Sequence, residues 1–105
     1  MVIEWLKFKV DPNLREKFIQ LDEEIWTTAL ASYPGYLGKE VWLDPSELDA
    51  IAFVIRWATR ENWKSIPQAA LDKVEASFAK AMGQGNYKLV EAKEYQIRKF
   101  LRKEE

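Results

Sequence analysis

The chain has no cysteine and no histidine among its 105 residues. Without cysteine there is no disulfide, no thiol nucleophile and no cysteine metal site. Without histidine the commonest general base, the commonest neutral metal ligand and the usual haem axial ligand are missing. Acid–base chemistry is left to carboxylates, tyrosine, lysine, water or a substrate. No sign of charge dominates either, since 16 Lys and Arg stand against 17 Asp and Glu. A nucleic-acid module usually shows a basic stripe. The one short basic cluster here, Arg98-Lys99 with Arg102-Lys103, runs into Glu104-Glu105 and reads as a solvated tail. No apolar run approaches membrane-spanning length. The N-terminal Val-Ile-Glu-Trp-Leu-Lys-Phe-Lys alternates as a strand does, unlike a signal peptide. The expectation is a cytoplasmic protein with no nucleic-acid partner, no membrane partner, no metal and no cofactor.

Apolar residues are plentiful: 48% of the chain is hydrophobic and five residues are tryptophan. One ordinary domain over residues 1–105 can bury a core of that size without staples. Val2–Val10 reads as a strand. Asp11 suits a helix N-cap and Pro12 the first helical position, where its missing N–H costs nothing. The helix runs to about Ser32. Leu14, Phe18, Leu21 and Ile25 form one stripe along it, and Ile19, Trp26, Leu30 and Tyr33 a second beside the first. That apolar sector is wider than one sheet-facing side needs. The surplus is available to a partner subunit or a cavity.

Tyr33-Pro34-Gly35 stops the helix. A second strand, Tyr36–Leu43, a turn at Asp44-Pro45-Ser46 and a third strand, Asp49–Ala58, follow as a hairpin. Thr59 caps a short helical turn, Arg60–Ile66. Pro67 interrupts it, a helix over Gln68–Met82 follows, and Gly83 ends that helix. The fourth strand is Tyr87–Ile97. The order is the ferredoxin-like βαββαβ plan of the α+β class: a four-stranded antiparallel sheet with both main helices on one face.

Both faces of this sheet are apolar. Leu6, Phe8 and Val10 alternate against Ile3 and Trp5, and Ile51, Phe53, Ile55 and Trp57 alternate against Ala50, Ala52 and Val54. The helices cover only one face. Ile3, Trp5 and Val54 fall on the other, with Arg56 on the same parity at the barrel or its rim, placed to hold a carboxylate across a dimer. Aromatic side chains bury roughly 150–250 Å² each. At about 25 cal/mol per Å², covering such a set contributes on the order of 10 kcal/mol. Association costs about 4–15 kcal/mol. Soluble monomers seldom expose such patches, so a homodimer is expected.

Two stretches carry a family resemblance. Tyr33-Pro34-Gly35-Tyr36-Leu37-Gly38-Lys39-Glu40-Val41-Trp42 resembles the Pro-Gly-aromatic-x-Gly lead-in to the second strand of antibiotic-biosynthesis-monooxygenase-like domains. Val54-Ile55-Arg56-Trp57-Ala58-Thr59-Arg60-Glu61-Asn62-Trp63 resembles their third-strand signature, a tryptophan, a short polar link and a Glu-x-Trp helix start. The resemblance is nearest to a small cyanobacterial branch of that superfamily. It implies a dimeric α+β barrel with a cleft in each subunit between sheet and helices. It also implies cofactor-free oxygenation of quinol-like aromatics or, in another branch, haem degradation. Trp57 matches the cleft tryptophan of active members. Glu4 stands where the haem-degrading branch has an asparagine, and that branch needs a histidine, so haem is not expected as a ligand.

Each candidate residue has two readings. Glu4 shares parity with Leu6 and Phe8. It is either a desolvated general base in the cleft or a strand-end carboxylate reaching solvent or a lysine. Asp22 lies inside the apolar sector near Trp26. It is either a polar anchor in the cleft or a rim residue ion-paired with Arg15 or a partner lysine. Trp57, Trp63, Trp26 and Tyr36 offer flat walls for an aromatic ligand, and packing alone accounts for them equally well. Tyr95 is the best-placed phenol for the cleft. The functional expectation is a cofactor-independent monooxygenase-like enzyme acting on a small aromatic or quinone-type molecule. The alternative is a non-catalytic dimeric barrel that binds a small molecule or serves a structural or stress-related role.

Overall fold

A computed structural model of the chain describes residues 1–100. The tail positions Arg102-Lys103 and Glu104-Glu105 lie outside the described residues. Strand β1 is Val2–Val10. A short 3-10 turn, Pro12–Leu14, follows, with the Asp11 carboxylate accepting from Asn13 N at 2.9 Å. It leads into helix α1, Arg15–Leu21, a π-helical stretch, Asp22–Thr27, and helix α2, Thr28–Ala31. Strands β2, Tyr36–Asp44, and β3, Glu47–Trp57, form the hairpin. Helices α3, Arg60–Lys64, and α4, Gln68–Met82, precede strand β4, Tyr87–Gln96. The sheet order is β2-β3-β1-β4, with every neighbour antiparallel. This is the ferredoxin-like α+β plan that the order of elements predicts.

The caps sit where the sequence places them. The Thr59 hydroxyl accepts from Asn62 N at 3.0 Å and starts α3. Asp44 Oδ1 accepts from Ser46 N at 2.9 Å and from its hydroxyl at 2.8 Å, which tightens the hairpin turn. Gly35 has φ +86°, and a Cβ there would collide with the Asn62 side chain, so only glycine fits between the first helical rod and α3.

Two features depart from the simple periodicities. The first helix widens to i→i+5 spacing over Asp22–Thr27. In an α-helix of about 3.6 residues per turn, residues four apart drift sideways. A π turn rotates them back, so Asp22, Trp26 and Leu30 stay in one row facing the sheet. The two stripes read from the sequence are therefore one sheet-facing surface whose phase is reset midway. Second, the β1–β4 pairing shifts register between Lys7 and Phe8. Tyr87 and Leu89 pair with Val10 and Phe8 on the helix-facing side, while Tyr95 pairs with Ile3 on the opposite face.

The core has two centres. Phe18, Ile51, Phe53, Phe78 and Met82 form one, with Phe18 stacked on Phe53 and meeting Phe78 edge-on. Val2, Leu30, Ile55, Trp57 and Ile66 form the other. Leu6 and Trp26 touch both. Between the two centres the layers do not close.

Candidate functional site

The gap between the core centres is a cavity of about 430 Å³. Glu4, Leu6 and Phe8 of β1 and Phe53 and Ile55 of β3 form its floor. Asp22, Trp26 and Leu30 form the roof, and Trp63 with Ile66 closes one end. Residues of α4 and the start of β4, among them Leu71, Glu75, Tyr87 and Leu89, surround the mouth. Its walls are mostly apolar, which suits a flat aromatic guest. Tyr87 Oη donates to Glu75 Oε2 at 2.9 Å, tying β4 to α4 at that mouth. Burial and the facing carboxylate push the Tyr87 phenol up to about 12, so it stays a donor.

Glu4 lines the floor. Trp57 Nε1 donates to Glu4 Oε1 at 3.2 Å. Trp57 is fully buried at 0% exposure, so it holds the carboxylate from behind and does not itself form the cavity wall. Tyr36 stands edge-on to Trp57, 5.6 Å between ring centroids, and likewise sits behind the wall. Burial raises the Glu4 carboxyl above its ordinary range, and the Trp57 N–H and the nearby Lys39 and Lys64 charges partly restrain the rise. A carboxyl in this setting is a better proton acceptor than one in water.

Asp22 is no rim residue. It is 3% exposed and pairs with Lys39 Nζ at 2.5 Å, not with Arg15. The π stretch turns it inward, and both side chains of the pair are 5% exposed. The Lys39 ammonium also lies 4.2 Å above the Phe53 ring. Burial pushes the Asp22 carboxyl up and the Lys39 ammonium down, and their mutual attraction opposes both shifts. Lys39 was not among the candidates read from the sequence. Its signal is parity: it shares a strand face with Val41 and Leu43, opposite the helix-facing Ile55, Phe53 and Ile51.

Trp26 and Trp63 line the cavity. The α3 cap sets Trp63 in place, with Lys64 Nζ 3.9 Å from its ring centroid. Tyr95 does not belong to the cleft. The β4 register shift turns it to the face away from the helices, where it is 50% exposed. Ile3, Trp5, Val54 and Arg56 share that face, together with Trp42. Arg56 pairs within the chain with Glu40 at 3.4 Å. Among the described residues no cluster of three metal-ligating side chains occurs, and no helix is long and apolar enough to cross a membrane.

A family model described as antibiotic biosynthesis monooxygenase matches residues 1–70. Similar solved structures include SnoaB, a cofactor-independent oxygenase from Streptomyces nogalater. The two share 14% identity over 97% of each chain, with a TM-score of 0.69. Another is a monooxygenase from the gene ActVA-Orf6 of Streptomyces coelicolor in complex with Nanaomycin D. It is 16% identical over 98% of this chain and 92% of that one, with a TM-score of 0.68. At these identities the likeness is one of fold. No curated protein sequence matches the chain.

Proposed function

The chain belongs to the antibiotic biosynthesis monooxygenase family, and from that premise we propose that it is a cofactor-independent monooxygenase acting on a small aromatic or quinone-type molecule held between sheet and helices. The observation that carries this reading is Glu4, a half-buried carboxylate fixed by Trp57 Nε1 at 3.2 Å and facing an apolar cavity of about 430 Å³. Solved relatives of the same fold are described as a cofactor-independent oxygenase and as a monooxygenase holding a small ligand.

The chemistry needs one base and a substrate that supplies the electrons. Glu4 takes a proton from a carbon flanked by aromatic rings. The resulting carbanion reduces dioxygen. One oxygen atom stays on that carbon as a carbonyl and the other leaves as water with the two hydrogens the carbon has lost. Apolar walls favour the neutral substrate on entry and keep bulk water from quenching the carbanion. The test is aerobic turnover of anthrone, read as quinone absorbance against dioxygen uptake. Glu4→Gln should slow it by about a hundredfold or more. Equal rates would remove Glu4 as the base. Saturable binding without turnover in the native protein would leave a non-catalytic binding protein.

A second part of the proposal concerns assembly. The face away from the helices presents Trp42 at 51% and Tyr95 at 50% exposure beside Ile3, Trp5 and Val54, around a groove of about 480 Å³. Apolar surface of this kind favours a second copy as its cover, giving a dimeric barrel.

A further inference from the structure

Lys39, Ile55 and Glu4 stand in one row across the sheet: Lys39 is opposite Ile55, and Ile55 is opposite Glu4. Neighbouring strands are about 4.8 Å apart, so the two ionic residues flank Ile55 with roughly 10 Å between their backbones. All three line the same cavity, with Trp26 above them. A flat ring resting on Ile55 therefore has a carboxylate at one edge and an ammonium at the other. The ammonium has three donors. Among the described residues Asp22 is its one hydrogen-bonding partner, which leaves two N–H groups for a molecule in the cavity. The other charges on the cavity wall, Asp72, Glu75 and Lys88, belong to the α4 and β4 side.

We propose that Lys39 is the anion-recognition residue of this cleft and Asp22 its positioning residue, so that a phenolic or enolic guest is held as its oxyanion. The inference rests on the functional reading above in taking the guest as a hydroxylated aromatic. The guest O–H at the Lys39 edge loses its proton to solvent, and the oxyanion it leaves forms beside the ammonium, while Glu4 at the opposite edge stays ionised. Burial makes this favourable for one reason: an ammonium with 5% of its side chain exposed attracts an oxyanion far more strongly than one in water. Asp22 keeps the ammonium charged and aimed along the cavity.

The experiment is binding, not turnover. The probe is para-nitrophenol at a pH below its solution pKa, where the free dye is mostly neutral and colourless. Its methyl ether, para-nitroanisole, cannot ionise and reports whether the cleft is intact. The native protein should bind the dye as yellow nitrophenolate. The double variant Asp22→Asn/Lys39→Met removes both charges and leaves no orphan in the interior. It should bind the ether with unchanged affinity, lose the yellow band and bind the dye about tenfold more weakly or worse. Lys39→Arg should restore the band, since charge and donors return. Dye bound neutral by the native protein, a band that survives in the double variant, or no saturable binding of either probe would each overturn the proposal. Glu4→Gln separates the two readings. It should slow anthrone turnover by about a hundredfold or more yet retain the nitrophenolate band, because the phenol proton passes to solvent and not to Glu4.

Discussion

Removing one member of the Asp22–Lys39 pair should damage the fold far more than removing both. Each side chain is 5% exposed and the two meet at 2.5 Å. Lys39→Met strands a carboxylate under the π stretch, and Asp22→Asn strands an ammonium over Phe53. Breaking a buried pair from one side costs about 3–5 kcal/mol. For a domain of this size each kcal/mol lowers Tm by roughly 4–8 °C, so each single variant should melt at least ten or so degrees below the native protein. The double variant, with two neutral side chains of similar bulk, should recover most of the loss.

The pH dependence of that loss tells the two single variants apart. Burial already pushes the Asp22 carboxyl up, and without Lys39 it rises further. A carboxyl raised in the folded state is a burden only when ionised, so the Lys39→Met deficit should shrink as pH falls and the group takes a proton. Lys39 is pushed down, and further without Asp22. An ammonium lowered in the folded state is a burden only when protonated, so the Asp22→Asn deficit should shrink as pH rises. Urea unfolding of the native protein and the three variants across a pH series measures both slopes. Single-variant deficits below about 1 kcal/mol, or slopes of the same sign, would refute the reasoning, since either would mean the pair is solvated.

Three other outcomes follow from the geometry. The rate of anthrone oxidation should rise with pH through an apparent pKa above the ordinary carboxylate range, because burial lifts Glu4. That limb should move higher in Trp57→Phe, which loses the N–H that restrains the rise, and vanish in Glu4→Gln; a pH–rate profile of each variant checks this. Trp42→Glu, at a site 51% exposed, should leave monomer stability within about 0.5 kcal/mol yet dissociate the proposed dimer, read by sedimentation at micromolar concentration. Gly35→Ala should cost more than about 1 kcal/mol by chemical denaturation, since φ +86° and the Asn62 side chain that fills the space of a Cβ both oppose a methyl group.

Much of the fold was legible because its signals are local. Asp11 before Pro12, Thr59 before α3, Gly83 after α4 and the Asp44-Pro45-Ser46 turn each satisfy backbone groups within a few residues, so composition alone marks them. Strand parity likewise placed Ile3, Trp5, Val54 and Arg56 on the face away from the helices, and Glu4 on the cleft side. The rest depends on irregularities that a fixed period cannot express. The register shift after Lys7 puts Tyr87 and Tyr95 on opposite faces although both are odd-numbered. The helical wheel puts Asp22 inside the apolar sector but leaves open whether it reaches the rim, and the π stretch decides that by turning it inward to 3% exposure. Lys39 gives no such signal in the sequence beyond its parity, because a lysine on a strand is ordinarily a solvated residue; only its distant pairing with Asp22 makes a buried place tolerable.

Strand β1 lies between β3 and β4 and is hydrogen-bonded along both edges. On this nine-residue plank Glu4 points into the cavity while its immediate neighbours Ile3 and Trp5 point the opposite way. A pleated backbone held on both sides has almost no slack. The same three peptide units therefore carry the carboxylate toward the cavity and two apolar side chains toward the outer surface.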